Sequence, residues 1–282
     1  MVELGHLENW AVRNRLLDHL LAGGSTDEFV ALVQAEGILP PGETGAATLR
    51  SALEVVEPLA QAYESLAIAE PEARRVEVDV HLADGTRVVG TVSDRGVTVA
   101  GPVEVTVSKR KDKDVLAIWL DLLALGAHDG GRAWRAVHLS QGKKDRKVPY
   151  APVVTALELS GSDPSECSRN ALDALSTLVA IHRSGLREPI PFFPTTSRKL
   201  ALGKFSPSDW SGSPYNRGDL DDTWVRAVFG ELDYEQLTSL EVQPHDPPGG
   251  ESDRARRYAE AIWGLHDSSV TDVSRMVEQV LR

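Results

Sequence analysis

The stretch that decides the fold begins Val76-Glu77-Val78-Asp79-Val80-His81-Leu82 and continues through Ala83-Asp84-Gly85 into Thr86-Arg87-Val88-Val89-Gly90-Thr91-Val92-Ser93. It then runs from Val97 to Val103-Glu104-Val105-Thr106-Val107-Ser108-Lys109-Arg110. Val76, Val78, Val80 and Leu82 alternate with polar residues, the two-residue period of a strand with one buried face, and Asp84-Gly85 is a strong short-range hairpin signal. Several consecutive strands are therefore expected. Directly after them, Val115, Leu116, Ile118, Trp119, Leu120, Leu122, Leu123 and Leu125 define a helix from Asp112 to Gly126 that is apolar nearly all round, as a buried helix is.

Working outward toward the N terminus, Leu7, Trp10, Leu16, Leu17, Leu20 and Leu21 fall at largely helical spacing and Gly23-Gly24 ends them. Ser25 and Glu28 form a capping box that opens a second helix with Phe29, Leu32 and Val33 inside it. A third helix is expected from about Thr48 to Ile68, interrupted by Pro58. Toward the C terminus, Trp134 to Ser140 alternates as a strand, and Pro152 to Leu157 reads as a further strand or a helix start. Asp163-Pro164 starts a helix with proline at its first position, which Gly185 is expected to stop. Ile190 to Pro194 reads as an extended connection, and residues 206–220 as a loop by composition. Helices around Asp222–Phe229 and Asp253–His266 and a short helix in 270–282 complete the chain. The expected organisation is a helical part (1–70), a core (71–205) and a helical extension (206–282).

Composition narrows the function. The 282 residues are 41% hydrophobic and 26% charged, ordinary for a globular protein long enough to bury a substantial core. A net charge of −12 argues against a surface that binds nucleic acid throughout, so any DNA contact has to be local. A single cysteine, Cys167, excludes an intrachain disulfide and a cysteine-built metal site, and a cytoplasmic setting fits. No apolar run approaches the roughly 20 residues needed to cross a bilayer, and the N terminus lacks the layout of a signal peptide.

The order of parts, a hairpin, a strand ending at Ser93, a strand ending in Lys109 and then an apolar helix, resembles the core of the PD-(D/E)XK nucleases. That resemblance implies a mixed α/β fold, a restriction-endonuclease-like core with a mixed sheet flanked by helices, plus helical additions at both ends. In an active member an Asp ends the first strand and the later strand reads (Asp/Glu)-x-Lys. Here those slots hold Ser93 and Val107-Ser108-Lys109. The lysine is present, but Mg²⁺ needs hard oxygen ligands and valine offers none. A glutamine common near the start of the following helix is absent too. Asp94 and Glu104 are the carboxylates from which a rewired site would have to be built.

Larger stretches, Leu7 to Leu17, Gly37 to Gly42, Val76 to Val92, Leu116 to Leu120, Gly185 to Pro191 and Trp224 to Phe229, resemble in order and spacing the C-terminal domain family of RecC, the gamma subunit of exodeoxyribonuclease V. The resemblance implies a nuclease-like domain without metal ligands or cofactor, taken from a subunit of an ATP-dependent nuclease and helicase. Such a domain helps to guide DNA strands apart and contacts RecB- and RecD-type subunits. A living Mg²⁺ nuclease with a migrated carboxylate and a pure protein-interaction module are the alternatives.

Two basic clusters stand out as DNA-binding candidates: Lys109, Arg110, Lys111 and Lys113, and Lys143, Lys144, Arg146 and Lys147. They offer point charges to phosphates of a duplex end or fork and little that reads bases, so contact is expected to be weak and non-specific. Gly142-Lys143-Lys144-Asp145 lacks the glycine spacing of a phosphate loop, and Gly161-Ser162-Asp163 that of a nucleophile elbow. The eight histidines show no metal-ligand spacing and read as surface or capping residues. With Trp119 in the core helix and Trp10, Trp224 and Trp263 on apolar helical faces, Trp134 and Trp210 are left as base-stacking candidates.

Overall fold

The expected turn forms at Asp84-Gly85. In the structure, a computed structural model, β1 (Val76–His81) and β2 (Arg87–Val92) pair antiparallel with Val80 opposite Val88. Gly85 takes φ +82°, a left-handed conformation that a side chain resists. Asp84 accepts the Thr86 N–H at 2.9 Å and the Arg183 Nη1 at 2.8 Å, and these bonds, those from Thr86 foremost, hold its carboxyl down at about 2. The structure describes residues 5–66, 75–92, 97–98, 101–144, 150–214, 217–249 and 253–281.

The hairpin does not belong to one continuous sheet with the later strands, as its sequence suggests. It is a two-stranded sheet of its own, and a separate five-stranded sheet runs β3 (Val97–Thr98), β4 (Gly101–Thr106), β5 (Arg135–Ser140), β6 (Val153–Leu159) and β7 (Val270–Asp272) in that spatial order. Alternation fixes which face of a strand is buried but not which ladder it joins. β4 and β5 are parallel, Val103 beside Val137 and Val105 beside Leu139, and every other strand pair among the described residues is antiparallel. The parallel pair is joined by the apolar helix, α4 (Asp112–His128), as a parallel connection requires.

Helices cover both faces of the large sheet. On one side lie α1 (His6–Leu21), α2 (Thr26–Ala35) and α3 (Glu43–Leu66), with α11 (Ser274–Val280). Their Leu16, Leu17, Phe29, Val55 and Leu59 form a core with Val103, Val105, Val107, Val137, Leu139 and Val277. On the other side α4, α5 (Pro164–Arg187) and α10 (Arg254–Ser269) pack with the inner face of the hairpin around Ile118, Trp119, Leu122, Leu123, Tyr258 and Trp263. Ser25 accepts the Glu28 N–H, and Glu28 returns a bond to Ser25 N, so the capping box forms, although Leu32 in that helix is exposed. α3 starts before Thr48, at Glu43. α5 is capped by Asp163, continues past Gly185 and stops at Arg187, before Pro189.

Several C-terminal expectations change. Pro194, expected to close an extended connection, opens α6 (Pro194–Ala201). Residues 206–220 hold α7 (Pro207–Ser211) and a 3-10 turn at Asp219–Asp221, because Ser206, Pro207 and Asp209 supply a cap that bulk composition conceals. They continue into α8 (Thr223–Phe229) and α9 (Tyr234–Leu237), and a third core forms around Phe193, Leu200, Trp210 and Leu237. Residues 270–282 open not with a helix but with β7, a β-branched run that pairs with the edge of β6 before α11 begins.

Candidate nucleic-acid interface

Because β4 and β5 are adjacent and parallel, the two basic segments leave the sheet at the same end. The Gln141 N–H donates to the Ser108 carbonyl at 2.9 Å, carrying the pairing one step past the strands. The segments that carry Lys109, Arg110, Lys111 and Lys113 and that carry Lys143 and Lys144 therefore leave the sheet from adjacent strands, all six cations exposed. The carboxyl ends of neighbouring parallel strands are where open α/β sheets place ligands. Trp10, half exposed rather than packed away, adds its indole N–H to Ser108 Oγ at 3.2 Å, beside Lys109.

The cations are not equally available. Arg110 Nη1 donates to Thr155 Oγ1 at 3.4 Å. Lys144 is paired with Glu54 of α3 at 3.1 Å and lies 5.5 Å from the Tyr150 ring, and the Glu54 contact raises its pKa. Lys109, Lys111, Lys113 and Lys143 have no such partner among the described residues. Arg146 and Lys147 lie outside the described residues, as do Ser93 and Asp94.

Val107, which the nuclease resemblance assigns to a ligand slot, and Glu104, a carboxylate of the rewired alternative, lie on opposite faces of the sheet. Val107 is 2% exposed within the apolar core under α1 and α3, in line with Val103 and Val105. Glu104, of opposite parity, belongs to the α4 face, where it meets Asp121. Burial, and then the Glu104 charge, push the Asp121 carboxyl up to about 6. The same face carries Thr106, His138, Ser140 and Thr155. His138 is fully buried, neither ring nitrogen has a partner among the described residues, and burial lowers its pKa.

One other histidine departs from the surface expectation. His266 is 6% exposed and its Nδ1 sits 2.8 Å from Asp267, which Arg198 Nη1 holds at 3.0 Å. His245 Nε2 lies 2.6 Å from Glu188 Oε1, and with Asp246 these form the group of three potential metal ligands found among the described residues. Arg254 already neutralises it, its Nε 3.0 Å from both Asp246 oxygens and its Nη2 on Glu188. Burial raises the Asp246 pKa, but bonds from Gln243 N, Arg254 and Tyr258 bring it below the ordinary range. The arrangement is an ion-pair clamp tying the end of α5 to the start of α10.

Trp119 and Trp263 are buried as expected, but the other tryptophans depart from the sequence reading. Trp134 and Trp210, the stacking candidates, are 2% and 0% exposed, their indole N–H groups bonded to the Asp129 and Leu232 carbonyls. Trp224 is instead 81% exposed. A signal for it exists in the sequence: α8 carries Trp224 and Val228 on one stripe and Val225 and Phe229 on another, and a seven-residue helix on the surface buries one of them.

The chain is 31% identical over 279 residues to a protein of Mycolicibacterium smegmatis named RecBCD enzyme subunit RecC, a match covering 93% of this chain and 23% of that protein. It is 28% identical over 271 residues to the protein of the same name from Mycobacterium tuberculosis, with the same coverage of each. The chain thus spans less than a quarter of the length of the curated relatives it matches. Residues 1–204, from α1 through α6 and into the loop beyond it, match the family described as RecC C-terminal domain, and on that match the chain belongs to the RecC C-terminal domain family.

Proposed function

We propose that this chain is a catalytically silent, nuclease-like domain of a RecC-type subunit, one that guides DNA strands and scaffolds a helicase–nuclease complex with RecB- and RecD-type partners during recombinational repair of double-strand breaks in the cytoplasm. The observation that carries the reading is the pairing of two basic segments at the carboxyl ends of β4 and β5 with a motif position, Val107, sunk in apolar core. The parallel β4–α4–β5 unit followed by an antiparallel β6 is the part of the topology that supports a PD-(D/E)XK ancestry. Against a chain charge of −12, a basic edge of this kind is where a phosphate backbone meets least repulsion. Among the described residues no helix is long and apolar enough to cross a membrane.

Replacing Lys109, Arg110, Lys111 and Lys113 by Ala in the assembled complex tests the reading. Removing one cation that neutralises a phosphate lowers the slope of log affinity against log salt by about 0.9 on duplex DNA. A slope on forked DNA that is unchanged returns the cluster to ordinary solvated surface and favours a domain that contacts proteins alone.

A second reading, a Mg²⁺ nuclease with a migrated carboxylate, draws on the Glu104–Asp121 pair, two acidic groups close enough for one to raise the pKa of the other. Calorimetry with Mn²⁺ separates the two. The silent-domain reading expects no site tighter than millimolar, and tight binding abolished by Glu104→Ala overturns it.

A further inference from the structure

We propose that the groove between α3 and α11 is a strand-addition site, which pairs the open edge of β6 with a short extended peptide of a partner protein, apolar and carrying a basic residue. The proposal rests on the scaffolding reading and gives it a contact surface. None of the described basic candidates for DNA contact lines this groove.

The edge is open because β7 is short. β7 covers β6 only from Leu157 to Leu159. Where β7 gives way to α11, the Val273 N–H donates to the outward carbonyl of Ala156 at 2.8 Å and Ser274 Oγ accepts the Ala156 N–H at 3.0 Å. In an antiparallel ladder the backbone groups of successive residues point alternately toward and away from the paired strand, so the N–H and C=O of Val154 point as those of Ala156 do, away from β5. Among the described residues no bond from outside the ladder reaches them. Val154 is buried, and there an unmet backbone donor and acceptor cost more than they do in open water. A second stretch of extended backbone, with one N–H and one C=O per residue, answers both at once.

The space beside Val154 is a groove of about 510 Å³. Its walls include the apolar Pro58, Ala62 and Leu281 and the polar Gln61, Ser65 and Glu278. Glu278 is the charged side chain among these, and no lysine or arginine among the described residues lines the groove. Glu57 and Glu64, both exposed, lie one turn to either side of Gln61 on α3 and extend the acidic rim. Arg275, a turn before Glu278 on α11, is not part of the lining. An apolar trough with an acidic rim and an unpaired strand edge fits an extended segment with apolar side chains and a lysine or arginine: the backbone pairs with β6, and the charge sets which segment is accepted.

The test titrates the full chain with a short, capped, labelled peptide of alternating valine and lysine, and with its counterpart carrying glutamate for lysine. The lysine peptide is expected to bind about fivefold more tightly or better, and Glu278→Lys to remove that preference. Methylating the peptide's amide nitrogens, which deletes the donors that pair with the sheet, is expected to weaken binding about tenfold. Gln61→Trp fills the groove from an exposed position, so the fold is kept, and is expected to abolish peptide binding. Binding that survives Gln61→Trp or amide methylation overturns the proposal, as does a failure of the unaltered chain to bind the lysine peptide. Self-association of the unaltered chain that Gln61→Trp abolishes, with no peptide bound, assigns the groove to a second copy and overturns it too. In the assembled complex, Gln61→Trp is expected to weaken retention of a partner subunit. Assembly unchanged by Gln61→Trp overturns the proposal while the scaffolding reading stands on other surfaces, whereas no assembly by the unaltered chain removes both.

Discussion

Asp121 concentrates the electrostatic tension of the α4 face. Its carboxyl is pushed from 3.8 up to about 6, chiefly by burial and then by Glu104, and unfolding returns it to water. Between these two values the folded chain binds more protons than the unfolded one, so stability falls as pH rises through that window and stays low above it. Asp121→Asn removes the penalty. With allowance for partial exposure, the variant is expected to be about 1–2 kcal/mol more stable than the parent near pH 8, the gain shrinking toward pH 4, as urea titrations at both values report. Val107 poses the opposite case. Placing a carboxylate there with Val107→Asp puts a charge among Val103, Val105, Val137 and Leu139 with nothing to pair with it. A loss of about 3 kcal/mol or more is expected in urea unfolding at neutral pH, in place of a bound ion. At this position packing and metal ligation are mutually exclusive uses of one side chain.

Among elements, β4 depends most on backbone geometry. Gly101 has φ +136°, and a Cβ on it falls 1.9 Å from the Arg135 carbonyl oxygen where β4 begins to run beside β5. A side chain clashes with backbone that cannot move without parting the two strands. Gly101→Ala is expected to cost about 3 kcal/mol, read as an earlier midpoint in urea with an unchanged slope. The parallel pair also positions the proposed interface, since the two basic segments leave adjacent strands only while β4 and β5 keep their register. The same substitution is therefore expected to weaken DNA binding, although no DNA-facing side chain has changed. α4 ties this unit to the C-terminal part through the Trp119 indole N–H, which donates to Ser269 Oγ at 2.9 Å inside the core.

At the scale of the whole molecule residues 270–277 close two of the three cores. Val270 belongs to the core under α4 and Val277 to the one under α3. The Val273 N–H donates to the Ala156 carbonyl at 2.8 Å, and Ser274 Oγ accepts the Ala156 N–H at 3.0 Å. A chain ending at Ser269 loses the edge strand and exposes the open side of β6. It is expected to unfold with lower cooperativity and to self-associate, which urea titration and light scattering measure. The same bonds explain why the family match, ending at residue 204, does not mark the limit of the packed structure.

The sequence by itself determined the elements whose cause is local. The Asp84-Gly85 hairpin, the Ser25–Glu28 capping box, Asp163-Pro164 at the head of α5 and the apolar α4 all follow from a turn, a cap or a period readable within a few residues. That position 107 carries no carboxylate was legible too, because Val107 is a valine wherever it lies. Tertiary structure decided what depends on distant partners. It set the hairpin apart from the main sheet, brought residues 270–272 to the edge of β6, and made β4 and β5, the strands that precede the two basic segments, parallel neighbours. It also buried Trp134 and Trp210 while leaving Trp224 in solvent. An alternating strand states which face is apolar, and a tryptophan states that it has surface to bury. Neither states what will cover it, because the covering group arrives from elsewhere in the chain and its place is fixed only when the whole core closes.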